Sequence, residues 1–398
     1  MRRWSALRES SVGVVKTRYF KFAEPPNEFE LESSSRLGPI TLAYETYGKL
    51  DEDRSNSILV FHALSGDAHA AGIHSRKDKK PGWWDLMIGP GKAFDTSRYF
   101  VICANVLGGC KGSTGPSSID PKTGKKYGSS FPIITVKDMV KAQVALLDEL
   151  GIKQVYAATG GSMGGFQVLE FALSFPERCR LAIPIATAGR QSAQNIAFNE
   201  IGRHAIALDP RWSSGDYYGQ KPPADGLSIA RMVGHVTYLS DDTLKRRFGR
   251  KTKDGVCANG GTSFKEPHFE VESYLRYKGS SFTKRFDANS YLYITRAIDL
   301  FDLSPRCESL EPAFRESKSR FLVMSFSGDW LYPPSQSQEL VDAIKANGLA
   351  VQYHNIESSY GHDAFLLEAD KMEDIVSKFL LLEGRKPYYE VEQEYPYS

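Results

Sequence analysis

The sequence reads as an α/β protein, a mostly parallel β-sheet flanked by helices with an inserted helical cap. Three observations predict this. Short β-rich apolar runs alternate with helical patterns, the signature of strands covered by helices. Most of those runs are apolar nearly throughout, as strands buried on both faces are. The rhythm stops after Ala188 and resumes near Arg320, an excursion that a single sheet does not require.

The core strands are expected at Ile58–His62, Tyr99–Asn105, Val155–Thr159, Leu181–Ala186, Phe321–Phe326 and Val351–Ile356. Ahead of them, Val14–Phe22 and Ile40–Tyr47 read as antiparallel strands at the sheet's edge. A helix begins at Thr135 and Asp138, which are spaced as a capping box. Val136, Met139, Val140, Val144, Leu147 and Leu150 then share one face, and Gly151 stands where helices end. The excursion from Gln191 to about Leu303 holds helical stretches at Asn195–Leu208 and Leu227–Tyr238, with Gly- and Lys-rich interruptions around Lys251–Gly261. The expected organisation is therefore a discontinuous core (1–190 and 304–384), a helical cap or lid (191–303) and a peripheral Tyr- and Glu-rich tail (385–398). The cap is expected over the carboxyl edge of the sheet, where open α/β sheets bind ligands.

Bulk properties narrow the function. The 398 residues suit one large domain or two, and 41% hydrophobic with 25% charged residues is ordinary for a globular chain. A formal charge of +2 offers no electrostatic draw for nucleic acid or anionic membrane. No stretch reaches the ~18 apolar residues of a membrane span. Five scattered cysteines (Cys103, Cys110, Cys179, Cys257, Cys307), never paired as CxxC, fit a reducing, cytoplasmic setting; Cys103 reads as a buried structural thiol. Arg2, Arg3 and Arg8 without early acids leave an organelle-targeting reading open.

The strongest motif is Gly160-Gly161-Ser162-Met163-Gly164, placed between a strand and a helical run as a nucleophile elbow requires. A Gly-rich connection without chemistry would look similar. A serine hydroxyl, however, needs a base, and the base an orienting carboxylate. Asp329 follows the strand Phe321–Phe326, and His362 follows Val351–Ile356. Singly they read as a turn carboxylate and a surface histidine. Together with Ser162 they stand in the order Ser, acid, His at three strand ends, the order of α/β-hydrolases. The backbone N–H groups of Met163 and Leu64 are the expected oxyanion donors. His69 and His74 lie in a Gly/Ala loop, and His204 and His235 in the cap. No spacing with a nearby third ligand suggests a metal, so none is expected.

These residues resemble the homoserine O-acetyltransferases of the α/β-hydrolase superfamily, from about Gly13 to Glu368. The matching strings include HALSGDAHAAG (62–72), GWWD (82–85), GGSMGG (160–165), SAQNIAFNEIGRHAI (192–206), ARMVGHVTYLSDD (230–242), RFDANSYLYITRA (285–297), SGDWLYPP (327–334) and YGHDAFLLE (360–368). The chain departs from the pattern at its termini and around Arg250–Glu266. The resemblance implies a ping-pong reaction of methionine biosynthesis. Acetyl-CoA is a co-substrate, nothing is tightly bound as a cofactor, and the acetyl group passes through Ser162 to L-homoserine. It further implies that Arg231 holds the homoserine carboxylate, Asp363 receives its amino group, Tyr238 lines the site, and the protein dimerises through the cap helices. Without the resemblance, Arg231 reads as a surface arginine, Tyr238 as core and Asp363 as a turn residue. Homoserine or serine succinyltransfer stays open, because acceptors one methylene apart differ by only ~1–3 kcal/mol in an apolar pocket. So do a plain serine esterase and a non-catalytic module on the same fold, although such modules usually lose a triad member.

Overall fold

The computed structural model describes residues 11–253, 268–304 and 309–384. The first ten residues, the 385–398 tail, Cys257, Cys307 and most of the Lys251–Gly261 interruption lie outside these. The described strands are β1 (Arg18–Phe22), β2 (Phe29–Glu30), β3 (Arg36–Leu37), β4 (Ile40–Tyr47), β5 (Ser57–Phe61), β6 (Phe100–Ala104), β7 (Val155–Gly161), β8 (Cys179–Ile185), β9 (Arg320–Phe326) and β10 (Val351–Ile356). Eight of them form one sheet in the order β1-β4-β6-β5-β7-β8-β9-β10. β1 and β4 run antiparallel at one edge, and the strands from β6 to β10 are parallel to one another. The expected first strand is shorter than its apolar pattern, because Val14 and Val15 pair with Ile73 instead of β4. The small β2–β3 hairpin has no clear alternation in the sequence that would predict it.

Alternation along the strands divides the core between the two faces of the sheet. Leu59, Phe61, Ile102 and Val323 face α1 (Val136–Glu149) and α2 (Met163–Ser174). Ile58, Val60, Val101, Cys103 and Met324 face Trp84, Phe94 and the closing helix Ala369–Glu383. The capping box at the start of α1 forms as its spacing predicts: the Thr135 side chain accepts from Asp138 N, and the Asp138 carboxylate accepts from Thr135 N. Gly151 follows the helix at φ +67°.

Among the described residues, five α-helices lie between β8 and β9: α3 (Ala193–Leu208), α4 (Ala224–Tyr238), α5 (Asp241–Arg247), α6 (Glu270–Thr283) and α7 (Ala288–Asp299). The chain enters and leaves this insertion through a narrow neck, where Gln191 N donates to Phe301 O and Leu303 N to Gly189 O. Within it, α4 packs against both α3 and α6. The insertion is fastened to loops after the last parallel strands. Trp330 Nε1 donates to Leu239 O at 3.0 Å, and Ser240 and Thr243 hydroxyls both donate to Ser359 O. The remaining helices are α8 (Pro334–Ala346), α9 (Ala364–Leu367) and α10 (Ala369–Glu383). No helix of the described residues is long and apolar enough to cross a membrane.

The turn from β7 into α2 depends on missing side chains. A Cβ on Gly164 would stand 2.2 Å from the Phe61 carbonyl oxygen, and one on Gly160 2.6 Å from the same atom. Both clashes are with backbone, which cannot swing aside. Gly164→Ala is expected to destabilise the fold by about 2–3 kcal/mol, the scale of a forced overpacking, read as a lowered midpoint in chemical denaturation.

Candidate active site

Ser162 sits between β7 and α2 at φ 60°, ψ −125°, a conformation that costs a non-glycine residue about 1–3 kcal/mol. Its surroundings hold it there. Ser162 N donates to Ile185 O at 3.0 Å, while Ser162 O accepts from Gly165 N, Phe166 N and the Thr187 hydroxyl. The side chain lines a cavity shared with Leu64, Asn195, Tyr238, Leu331 and Tyr332. Met163 is the first residue of α2, so its N–H has no partner within the helix and lies at the positive end of the helix dipole. Leu64 comes from the loop after β5, whose turn is closed by Gly66 N donating to Ala63 O.

Asp329 and His362 meet from the loops after β9 and β10. The Asp329 carboxylate accepts Leu331 N at 3.0 Å and Tyr332 N at 2.9 Å through Oδ1. Its Oδ2 lies 2.7 Å from His362 Nδ1. Both side chains are buried. Burial works against a charged imidazole, but the charge and hydrogen bond of Asp329 outweigh it, so the His362 pKa is raised above the ordinary histidine value. The ring is packed among Tyr332, Phe365 and Tyr238, at centroid distances of 5.2, 5.6 and 6.0 Å. Phe365 also fills the space beside Gly161, where a Cβ would stand 2.3 Å from its ring. The histidine shelf thus rests on the elbow. Among the described residues, no hydrogen bond joins Ser162 to His362, a contact that often tightens only when substrate binds.

The insertion contributes charge. Arg231 on α4 turns inward: its guanidinium lies 4.6 Å from the Phe282 ring and 5.4 Å from Tyr238, and Nη1 is 3.4 Å from Ser65 Oγ. Burial pushes the Asp363 pKa up, against the pull of His362, Arg231 and Lys278. Tyr238 lines the cavity beside Ser162. Three further residues organise the site without any signal in the sequence. Arg285 Nη1 donates to Ser65 O at 3.1 Å, tying the insertion to the loop of Leu64. Asn195 Nδ2 donates to Leu331 O, and Gln191 Oε1 accepts from Tyr332 OH. An amide on a polar-looking helix carries no mark of what it faces; only periodicity relative to the cavity wall would have found Asn195.

The other histidines divide by environment. His62 Nε2 accepts from Val106 N at 3.0 Å and Nδ1 donates to Ala63 O, a buried structural role in which burial lowers its pKa. His235 is held below its usual range, at about 3, by burial and neighbouring cations. His69 and His74 gain a third neighbour that their spacing did not reveal: both converge on Glu45 of β4. Cys103 is fully buried, and burial pushes its thiol well up, as suits an inert core residue.

The balance at His362 is measurable by histidine-selective NMR. The His362 pKa is expected above the ~6.5 of free imidazole. In Asp329→Asn burial loses its main opponent, and the pKa falls below that of the parent protein; an unchanged value would mean that Asp329 does not set the charge of the ring.

Comparison with known proteins agrees with this architecture. Residues 56–369 match the family described as alpha/beta hydrolase fold. A homoserine O-acetyltransferase of Methanohalobium evestigatum is 55% identical over 374 residues, covering 94% of this chain and 75% of that protein. The crystal structure of homoserine O-acetyltransferase from Bacillus anthracis superposes with a TM-score of 0.86 at 30% identity, covering 92% of this chain and 98% of that one. The crystal structure of esterase E22 is similar at a TM-score of 0.84 and 30% identity, covering 92% and 100%. With this similarity running through core and insertion alike, the chain belongs to the homoserine O-acetyltransferase family of α/β-hydrolase-fold acyltransferases.

Proposed function

We propose that the chain transfers the acetyl group of acetyl-CoA to the hydroxyl of L-homoserine through an acetyl-Ser162 intermediate, giving O-acetyl-L-homoserine and CoA for methionine biosynthesis. The observation that carries this reading is the pairing of an inward cation, Arg231, with an enclosed carboxylate, Asp363, each acting on Tyr238, which lines the cavity of Ser162. A zwitterionic amino alcohol presents the complementary charges: its carboxylate suits the guanidinium fork, and its ammonium suits Asp363.

In the first half-reaction His362 Nε2 takes the Ser162 proton as Oγ attacks the thioester carbonyl. The N–H groups of Leu64 and Met163 hold the developing oxyanion, and CoA leaves as the thiol with the proton returned by His362. In the second, the homoserine hydroxyl gives its proton to His362 and attacks the acetyl carbon; collapse releases the ester, and Ser162 recovers its proton. Asp329 holds the Nδ1–H tautomer throughout. Because the His362 pKa is raised, the basic form is depleted as pH falls through it, and the rate drops on that side. Water at ~55 M competes for the acyl-enzyme, so transfer requires an acceptor held in place under a cover. Hydrolysis is the second reading, favoured by the similarity to esterase E22. The scattered cysteines favour a cytoplasmic setting.

Intact-protein mass spectrometry tests donor, nucleophile and acceptor together. Acetyl-CoA is expected to add the mass of one acetyl group to Ser162, and L-homoserine to remove it; Ser162→Ala stays unlabelled. Arg231→Ala is expected to acquire the label but lose discharge by homoserine at least about tenfold. Labelling by succinyl-CoA alone, discharge by serine alone, or discharge by water that homoserine does not accelerate would each replace the substrate assignment.

The proposal includes a homodimer formed through the inserted helices. Light scattering at micromolar concentration is expected to report twice the chain mass, and a monomer would remove that part of the reading.

A further inference from the structure

We infer that Glu45, His69 and His74 form a binding site for a divalent transition ion of the zinc class, at the base of the loop that carries Leu64. The carboxylate oxygens of Glu45, His69 Nδ1 and His74 Nε2 offer ligand atoms that lie within 4.8 Å of one another. The two imidazoles approach different oxygens of one carboxylate, Nδ1 of His69 at 2.9 Å from Oε2 and Nε2 of His74 at 2.6 Å from Oε1. Their rings stand 3.9 Å apart and tilted by 33°. Two neutral imidazoles and a carboxylate are the donor set that borderline metals such as Zn²⁺ take; all-oxygen sites suit Mg²⁺ and Ca²⁺.

The ligands are held from behind, as metal ligands usually are. Thr17 Oγ1 donates to Glu45 Oε1 at 2.8 Å, and Tyr47 OH donates to Oε2 at 3.0 Å. Tyr47 OH is itself fixed by accepting Ala70 N and Ala71 N. Asp67 Oδ1 and Asp78 Oδ2 accept the backbone N–H groups of His69 and His74, adding negative charge beside the rings. The exposed cations Arg76, Lys77, Lys79 and Lys80 belong to the same loop but extend into solvent. Glu45 is enclosed, whereas the His74 side chain is 46% exposed, which leaves an approach for an ion and for water to complete its shell. In the metal-free form each ring can donate its N–H to Glu45. An ion takes the place of those protons, and its affinity therefore falls at low pH.

Such an ion would join the segment before β1, through Thr17, to β4 and to the loop running from Leu64 to His74. The test uses the full chain, stripped with chelator and titrated with Zn²⁺ against a chromophoric competitor. The expected result is one ion per chain at micromolar zinc, a raised thermal midpoint, and roughly tenfold or greater loss of affinity in both Glu45→Gln and His74→Gln. His74 lies at the surface, so His74→Gln remains informative where Glu45→Gln fails to fold. Failure to take up zinc, or uptake undiminished in His74→Gln, would overturn the site. Acetyl labelling of Ser162 is a separate measurement and stands or falls on its own.

Discussion

The backbone of Gly164 lies against the carbonyl of Phe61 so closely that no side chain fits between them, and this contact between α2 and β5 sets the position of everything that surrounds Ser162. It brings the start of α2 directly beside the end of β5. Leu64 therefore borders one cavity with the serine, and Met163 follows the serine directly at the start of α2. The unfavourable φ of Ser162 is held in place by hydrogen bonds to β8 and to Thr187, and by the depth of the sheet around it. Strain of about 1–3 kcal/mol is tolerable in a fold with so much apolar surface buried on both faces of the sheet.

Around that elbow the protein uses burial to sharpen electrostatics. Asp329 and His362 are both removed from water, and their contact is correspondingly stronger than an exposed pair would be. Burial by itself would neutralise the imidazole; the carboxylate reverses the sign. Asp363, one residue further on, has the opposite outcome: burial prevails over three cations and its pKa rises. Adjacent residues thus differ in which effect wins, because Asp329 sits within hydrogen-bonding distance of His362 while no hydrogen bond to a cation steadies Asp363 among the described residues.

The loop after β5 connects the two halves of the molecule. From the insertion, Arg231 and Arg285 both reach Ser65. From the core, Trp83 Nε1 holds Asp67 O, and Glu45 gathers His69 and His74. A backbone N–H can stabilise an oxyanion only if its position is fixed before the charge develops. These contacts, from the insertion and from the core, hold the segment that follows Leu64 and would give the proposed donor that rigidity.

Much of this was legible in the sequence, for local reasons. Strands buried on both faces must be apolar nearly throughout, so β5, β6 and β9 announce themselves, and the expected Ile58–His62 and Phe321–Phe326 agree with Ser57–Phe61 and Arg320–Phe326 within one residue at each end. The capping box of Thr135 and Asp138 acts within one turn and needs no tertiary partner. Ser162, Asp329 and His362 are recognisable because each follows a strand, and strand ends in a parallel sheet share one edge. The tertiary structure decided what depends on distant segments meeting. The alternation that suggested a strand from Val14 yielded to pairing with Ile73, and an ordinary-looking Arg231 proved to face inward from α4 onto Phe282. Glu45 stands 24 residues from His69, on a strand whose own pattern is apolar. Sequence periodicity specifies which face a residue occupies along its own element, but the neighbour opposite that face is set only when the sheet closes and the insertion docks.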